Sequence, residues 1–198
     1  MSKNKHNYNF LLLFMIFQSF FMKISRFLLF LSFFCSFGIV AQTEPNVNFP
    51  DDYFGVYKGT LEIEAESGIR EIPMELHLKP TDTIGKYHYT LIYGEGDMRQ
   101  ERNYTLLDED PEKGRFTVDE NNGIILDAKL MGNKLYSLFE VQGNLLTTFI
   151  TFHQDHLVFE ITFANKENRR VSQAENEEKT EVISYPISTV QRGILKKQ

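Results

Sequence analysis

The chain of 198 residues has no tryptophan, a single cysteine and six prolines. Each scarcity excludes something. One thiol cannot form an intramolecular disulfide, so cross-linked scaffolds and paired-cysteine redox or zinc motifs are ruled out. No nucleophile elbow, phosphate-binding loop or zinc-protease helix occurs, and the few serines stand in turns, the tail or the last strand without a nearby histidine. The carboxylates Glu95, Glu101 and Glu140 are scattered, and sequence supplies no separation between them. The residues point away from an enzyme and call for no cofactor and no metal.

Acidic residues are also missing from one region. Residues 1–43 carry no Asp or Glu but hold two apolar stretches, 10–21 and 27–40. From Met22 the order is that of a secretory signal. Lys23 and Arg26 supply positive charge, residues 27–37 an apolar segment, and Ile39-Val40-Ala41 a small-residue exit before Gln42. Cleavage is expected after Ala41, with Met22 as the true start. Cys35 follows Ser32-Phe33-Phe34, which is not a lipobox. The expected product is exported, periplasmic or extracellular. If the segment is retained, its length approaches the ~20 residues of a membrane span and the domain is tethered.

Four of the 21 basic residues lie before the cleavage point and all 27 acids after it, which leaves 17 bases against 27 acids and a formal charge of −10. Such a surface repels phosphate backbones and anionic headgroups, so nucleic acid is excluded as a partner. Residues 42–198 suit one domain. We divide the chain into a signal at 1–41, a leader at 42–52 and a β-domain at 53–198.

Within that domain, turns recur about every ten residues at Asn121-Asn122-Gly123, Met131-Gly132-Asn133, Gln142-Gly143-Asn144 and Gln154-Asp155. This is the spacing of an antiparallel meander. Leu61, Ile63 and Ala65 alternate with Glu62, Glu64 and Glu66, the period of two that gives a strand one dry face. Ile72, Met74, Leu76 and Leu78 repeat the pattern, with Pro73 marking an edge or bulge. Tyr87, Tyr89, Leu91 and Tyr93 share a face in a run at 86–93, with His88 on the other. Further strands are expected at 101–107, 115–119, 124–130, 134–141, 145–153 and 157–163. The charged stretch 165–181 is expected to be a mobile loop or short helix. Residues 182–190 are expected to pair with the first strand and close the sheet, since closure removes exposed edges.

The predicted fold is all-β: one antiparallel up-and-down meander barrel of about 8–10 strands. The run Phe54-Gly55-Val56-Tyr57-Lys58-Gly59, the meander and a late strand with Arg192 resemble the lipocalin and fatty-acid-binding-protein superfamily, the calycins. The resemblance covers most of residues 42–198 in architecture but only a few residues in motif. Lipocalins open on Gly-x-Trp, whose ring packs on a late basic residue. Here Gly55-Val56-Tyr57 puts Tyr in that place, with Arg192 as the expected partner. A helix before the last strand, which the resemblance implies, has 170–180 as its only candidate. It also implies a cup holding a small hydrophobic or amphipathic molecule, and the lining residues expected are Tyr87, Tyr89, Tyr93, Phe139, Phe149, Phe159 and Phe163. The alternative is a non-enzymatic structural or interaction protein of the cell envelope, its barrel filled by its own rings.

Histidines offer two further candidates. His153-Gln154-Asp155-His156 has metal-ligand residue types but stands where a tight turn is needed, and turn chemistry explains it. His88 could touch a ligand or haem if its face is the inner one; otherwise it is a hydrogen-bonded core histidine. The acidic loops at 108–114 and 119–123 lack calcium-loop spacing and are expected to be solvated turns.

Overall fold

The computed structural model describes residues 48–198, so the expected signal and most of the leader lie outside the described residues. Twelve strands follow a short 3-10 turn at Asp51–Tyr53: β1 Gly55–Ala65, β2 Gly68–Pro80, β3 Lys86–Tyr93, β4 Gln100–Asp110, β5 Arg115–Asp119, β6 Ile125–Met131, β7 Lys134–Val141, β8 Asn144–Phe152, β9 His156–Asn165, β10 Arg170–Gln173, β11 Glu181–Ser184 and β12 Thr189–Lys197. Ten of them close an antiparallel barrel in the order β1-β12-β9-β8-β7-β6-β5-β4-β3-β2, and β10 pairs only with β11.

Turn chemistry sets the meander. Between β7 and β8, Gln142 and Gly143 both have positive φ (48° and 77°), the two-residue hairpin whose twist matches the strands it joins. Pro73 pairs with Thr60 on β1, and on its other side β3 has already ended: its carbonyl accepts from the Gly94 N–H at 2.8 Å. The missing proline donor leaves the reciprocal bond of that pair unmade, at the point where β3 ends.

Alternation divides each strand into an inner and an outer set. Tyr57, Leu61, Met74, Leu76, Leu78, Tyr89, Leu106, Phe116, Ile150, Phe152, Leu157, Phe159 and Leu195 are buried in one core. One end of the barrel is plugged by rings. Phe49 meets Phe116 and Phe152 edge-on at 5.1 and 5.2 Å between centroids, and Tyr53 lies 5.1 Å from Phe152. The Tyr57 hydroxyl, fully buried beneath them, donates to the Tyr53 carbonyl at 2.6 Å.

Two expectations about the end of the chain are corrected. Residues 182–190 are not one strand. Pro186 lies in the break, 181–184 leave the barrel to pair with β10, and closure against β1 falls to β12, from Tyr57↔Lys197 to Ala65↔Thr189. The 170–180 stretch forms no α-helix; β10, a turn and the approach to β11 occupy it, after a 3-10 turn at Lys166–Asn168. The late strand with Arg192 is β12, and hidden periodicity explains why its bounds are not evident from sequence. The residues that share the register of buried Leu195 are Thr189, Gln191, Gly193 and Lys197, so no apolar stripe marks it.

Arg192 is also not the partner of Tyr57. It takes the even, outward register, where its Nε lies 3.5 Å from Glu160 Oε1, while Lys197 Nζ sits 5.8 Å from the centre of the Tyr57 ring. A basic group does cover the aromatic ring of the Gly-x-Tyr run, supplied by the residue directly opposite it on β12.

Candidate functional site

The half of the barrel away from the plug is not filled. A cavity of about 230 Å³ lies there against β3 to β9. No residue of β1, β2 or β12 reaches it, because Leu61, Met74, Leu76 and Leu195 pack that side of the interior. Its apolar walls are Leu91, Val118, Leu126, Leu135, Val141, Leu146, Ile150 and Ile161 together with the rings of Phe139 and Phe159. Polar groups are few: the tyrosines 89, 93 and 104, Ser137 opposite Thr148, Arg102 and Glu120. Arg102 is exposed and Glu120 half-buried, which marks their end as the mouth.

The side wall is weak at one seam. β6 and β7 share only three paired positions, from Lys129↔Tyr136 to Met131↔Lys134, so residues 125–128 and 137–141 run past each other without a ladder. That stretch carries Leu126, Ser137, Phe139 and Val141 of the lining. The cavity is thus flanked by the least tied part of the sheet.

Tyr89 and Tyr93 stay protonated at neutral pH. Burial raises the Tyr89 hydroxyl far above its usual value, with Tyr93 and Tyr104 adding to it. Burial also raises Tyr93 to about 12, partly opposed by the Arg102 guanidinium, which lies 5.1 Å from its ring centre. Tyr89 and Tyr104 are stacked 6.4 Å apart at 19°. The Tyr89 and Tyr93 hydroxyls can therefore donate to an acceptor inside the barrel.

Of the residues expected to line a pocket, Tyr89, Tyr93, Phe139 and Phe159 surround the cavity. Tyr87 has the inward register but sits toward the plug, 5.8 Å from the Phe54 ring. Phe163 shares the register of Phe159 and Ile161 at the far end of β9 and is not among the lining residues. Phe149 has the outer register of β8 and meets Tyr136 edge-on at 5.4 Å. Arg102, Glu120, Ser137 and Thr148 were not foreseen, because polar residues break an apolar stripe. Counting back by twos from Leu106 through Tyr104 reaches Arg102 and would have found it.

His88 faces outward and is exposed, since the odd positions of β3 point in, so it touches neither ligand nor core. His153 and His156 stack at 4.3 Å, and His156 Nδ1 lies 2.7 Å from Asp155 Oδ1, so the turn is closed on itself. Among the described residues no three or more His, Cys, Asp or Glu side chains converge as a metal site.

The acidic turn is held from within. Asp110 caps the Pro111–Lys113 turn and meets Lys113 Nζ at 3.1 Å and Arg115 Nη2 at 2.7 Å. Asp108 is the opposite case. Its Oδ1 is closed off from solvent with no hydrogen-bond partner, and burial, then Asp110 and Glu109, raise its pKa above 3.8. A carboxyl with a raised native pKa binds its proton better folded than unfolded, so stability falls as pH rises through that window. Asp108→Asn is expected to raise the urea midpoint at pH 7, and the gain should vanish below pH 3.8; an equal gain at both pH values would refute this account of Asp108.

The fold and the cavity define a class: an all-β, closed ten-stranded antiparallel up-and-down barrel, consistent with a calycin-like architecture. No protein-family model matches the chain, and a search of curated proteins finds no match.

Proposed function

We propose that the protein is an exported, lipocalin-like carrier or sensor that holds one small amphipathic molecule inside the barrel, apolar part inward. The observation that carries this is the contrast between the two ends. One is packed solid by Phe49, Tyr53, Phe116 and Phe152, while the other leaves about 230 Å³ between mostly apolar walls. A fold that needed only a core would fill both. The space exceeds the ~150 Å³ of an engineered cavity that takes benzene and falls short of the roughly 300 Å³ where pockets for larger ligands begin. A compact ligand fits, and a long extended chain does not.

A second reading, an envelope protein acting through its surface, draws on the β10–β11 hairpin, where Val171, Val182 and Ile183 are exposed. Calorimetry separates the two. On protein recovered from the envelope, its mass showing a start at Gln42 and not at Met22, 3-phenyl-1-propanol should bind saturably at one site per chain. Ser137→Leu, which projects a larger apolar group into the cavity, should weaken that binding at least about tenfold. It should also stabilise the barrel by about 1–2 kcal/mol through the added buried methyl groups. Absence of uptake of this alcohol and of charged compounds with the same phenyl body, or uptake indifferent to Ser137→Leu, rejects the internal site and leaves the surface reading.

A further inference from the structure

The mouth of the cavity holds one cation and one carboxylate that do not neutralise each other. Arg102 and Glu120 both line the cavity, yet among the described residues neither forms an ion pair with any partner within 4.0 Å. Arg102 is oriented by the face of Tyr93 at 5.1 Å, a packing that leaves the in-plane donors of the guanidinium free for an anion. Glu120 accepts one bond, from Asn122 Nδ2 at 3.2 Å, and keeps its other oxygen. Elsewhere on the outer wall the same residue types pair directly, as Arg99 does with Glu101 at 2.9 Å and Arg115 with Asp110 at 2.7 Å.

Resting on the internal-site reading above, we infer that the ligand is a zwitterion: a small molecule with an amine and a carboxylate on one carbon and an apolar side chain, of the class of a free aromatic or branched amino acid. The carboxylate meets Arg102, the ammonium meets Glu120, and the side chain enters the cavity. A simple carboxylate would gain Arg102 but face Glu120, and a simple amine would gain Glu120 but face Arg102. Only a dipolar head satisfies both. Such a ligand is also net neutral, so the acidic protein, with a formal charge of −10 over residues 42–198, does not repel it from a distance. The size agrees, since by the benzene scale the cavity takes about nine non-hydrogen atoms, enough for a phenylalanine side chain and too few for a long acyl chain.

Four probes with one apolar body decide the matter in calorimetry at pH 7: L-phenylalanine, 3-phenylpropionate, 2-phenylethylamine and 3-phenyl-1-propanol. L-phenylalanine is expected to bind at least about tenfold tighter than each of the others, the scale of a hydrogen bond to a charged group. Arg102→Met should bring its affinity down to that of the amine on the same variant, and Glu120→Gln down to that of the carboxylate. If the propanol or either singly charged probe equals L-phenylalanine, the head group is not recognised: the zwitterion inference falls and the internal site stands. If none of the four binds, both fall.

Discussion

Phe152→Ala is expected to destabilise the barrel by about 3–5 kcal/mol, the range for removing a buried aromatic ring. Phe152 is 1% exposed, and its ring joins those of Phe49 and Tyr53 across the plug. Its backbone donates to the Asn133 carbonyl at 2.9 Å and accepts from Asn133 Nδ2 at 2.8 Å, bonds that tie it to the β6–β7 turn. Alanine preserves those bonds but leaves a void that the rings of Phe49 and Tyr53 cannot collapse into, because the Asp51–Tyr53 turn holds them in place. Urea unfolding followed by tyrosine signals measures the loss. The comparison is Phe149→Ala on the same strand, three residues away and on the outer face, where the contact with Tyr136 is worth about 0.5–1.5 kcal/mol. Equal losses from the two substitutions would show that the inner and outer registers of β8 are misassigned.

Gly59→Ala is expected to cost about 2–3 kcal/mol, the upper part of the range for overpacking. A Cβ there would stand 2.3 Å from the Ile194 carbonyl oxygen and 3.0 Å from Leu195 Cδ2. The nearer atom is backbone, which cannot rotate away, and it belongs to the strand that closes the ring through Gly59↔Leu195. The added methyl must therefore push β1 from β12. Hydrogen exchange should rise along β12 ahead of the other strands. Thr60→Ala, next in sequence but on the outer register, should stay within about 0.5 kcal/mol of the parent. A Gly59→Ala protein as stable as the parent would mean that β1 and β12 are not this close.

How far the strands could be foreseen depended on how local their signals are. β3, β5 and β7 occupy the residues expected of them, 86–93, 115–119 and 134–141, since each is bounded by glycines, asparagines or acids with a turn to make. The bounds of β12 escaped notice because Gly193 and Gln191 occupy inward positions: a Cβ at residue 193 would stand 3.0 Å from the Thr60 carbonyl oxygen, and Gln191 puts a polar side chain where an apolar one would have marked the strand. The β8 run Leu145-Leu146-Thr147-Thr148-Phe149-Ile150-Thr151-Phe152 mixes apolar and hydroxyl residues on both faces. Nothing in that order says whether Phe149 or Thr148 looks into the barrel, and register against β7 and β9 decides for Thr148. In the same way, register turned His88 outward and gave the ring of Tyr57 to Lys197 in place of Arg192.

What the residues settled unaided was the all-β character, the meander and the spacing of its reversals, because backbone turns and the period of two are properties of a few neighbouring residues. Which strand completes the ring, which end is packed with rings and which stays hollow, and that Arg102 and Glu120 share a mouth were decided only in three dimensions. Cavity volume is the difference between the space ten strands enclose and the side chains they send inward. That difference depends on residues from Tyr53 to Lys197 at once, and no segment of the chain carries it.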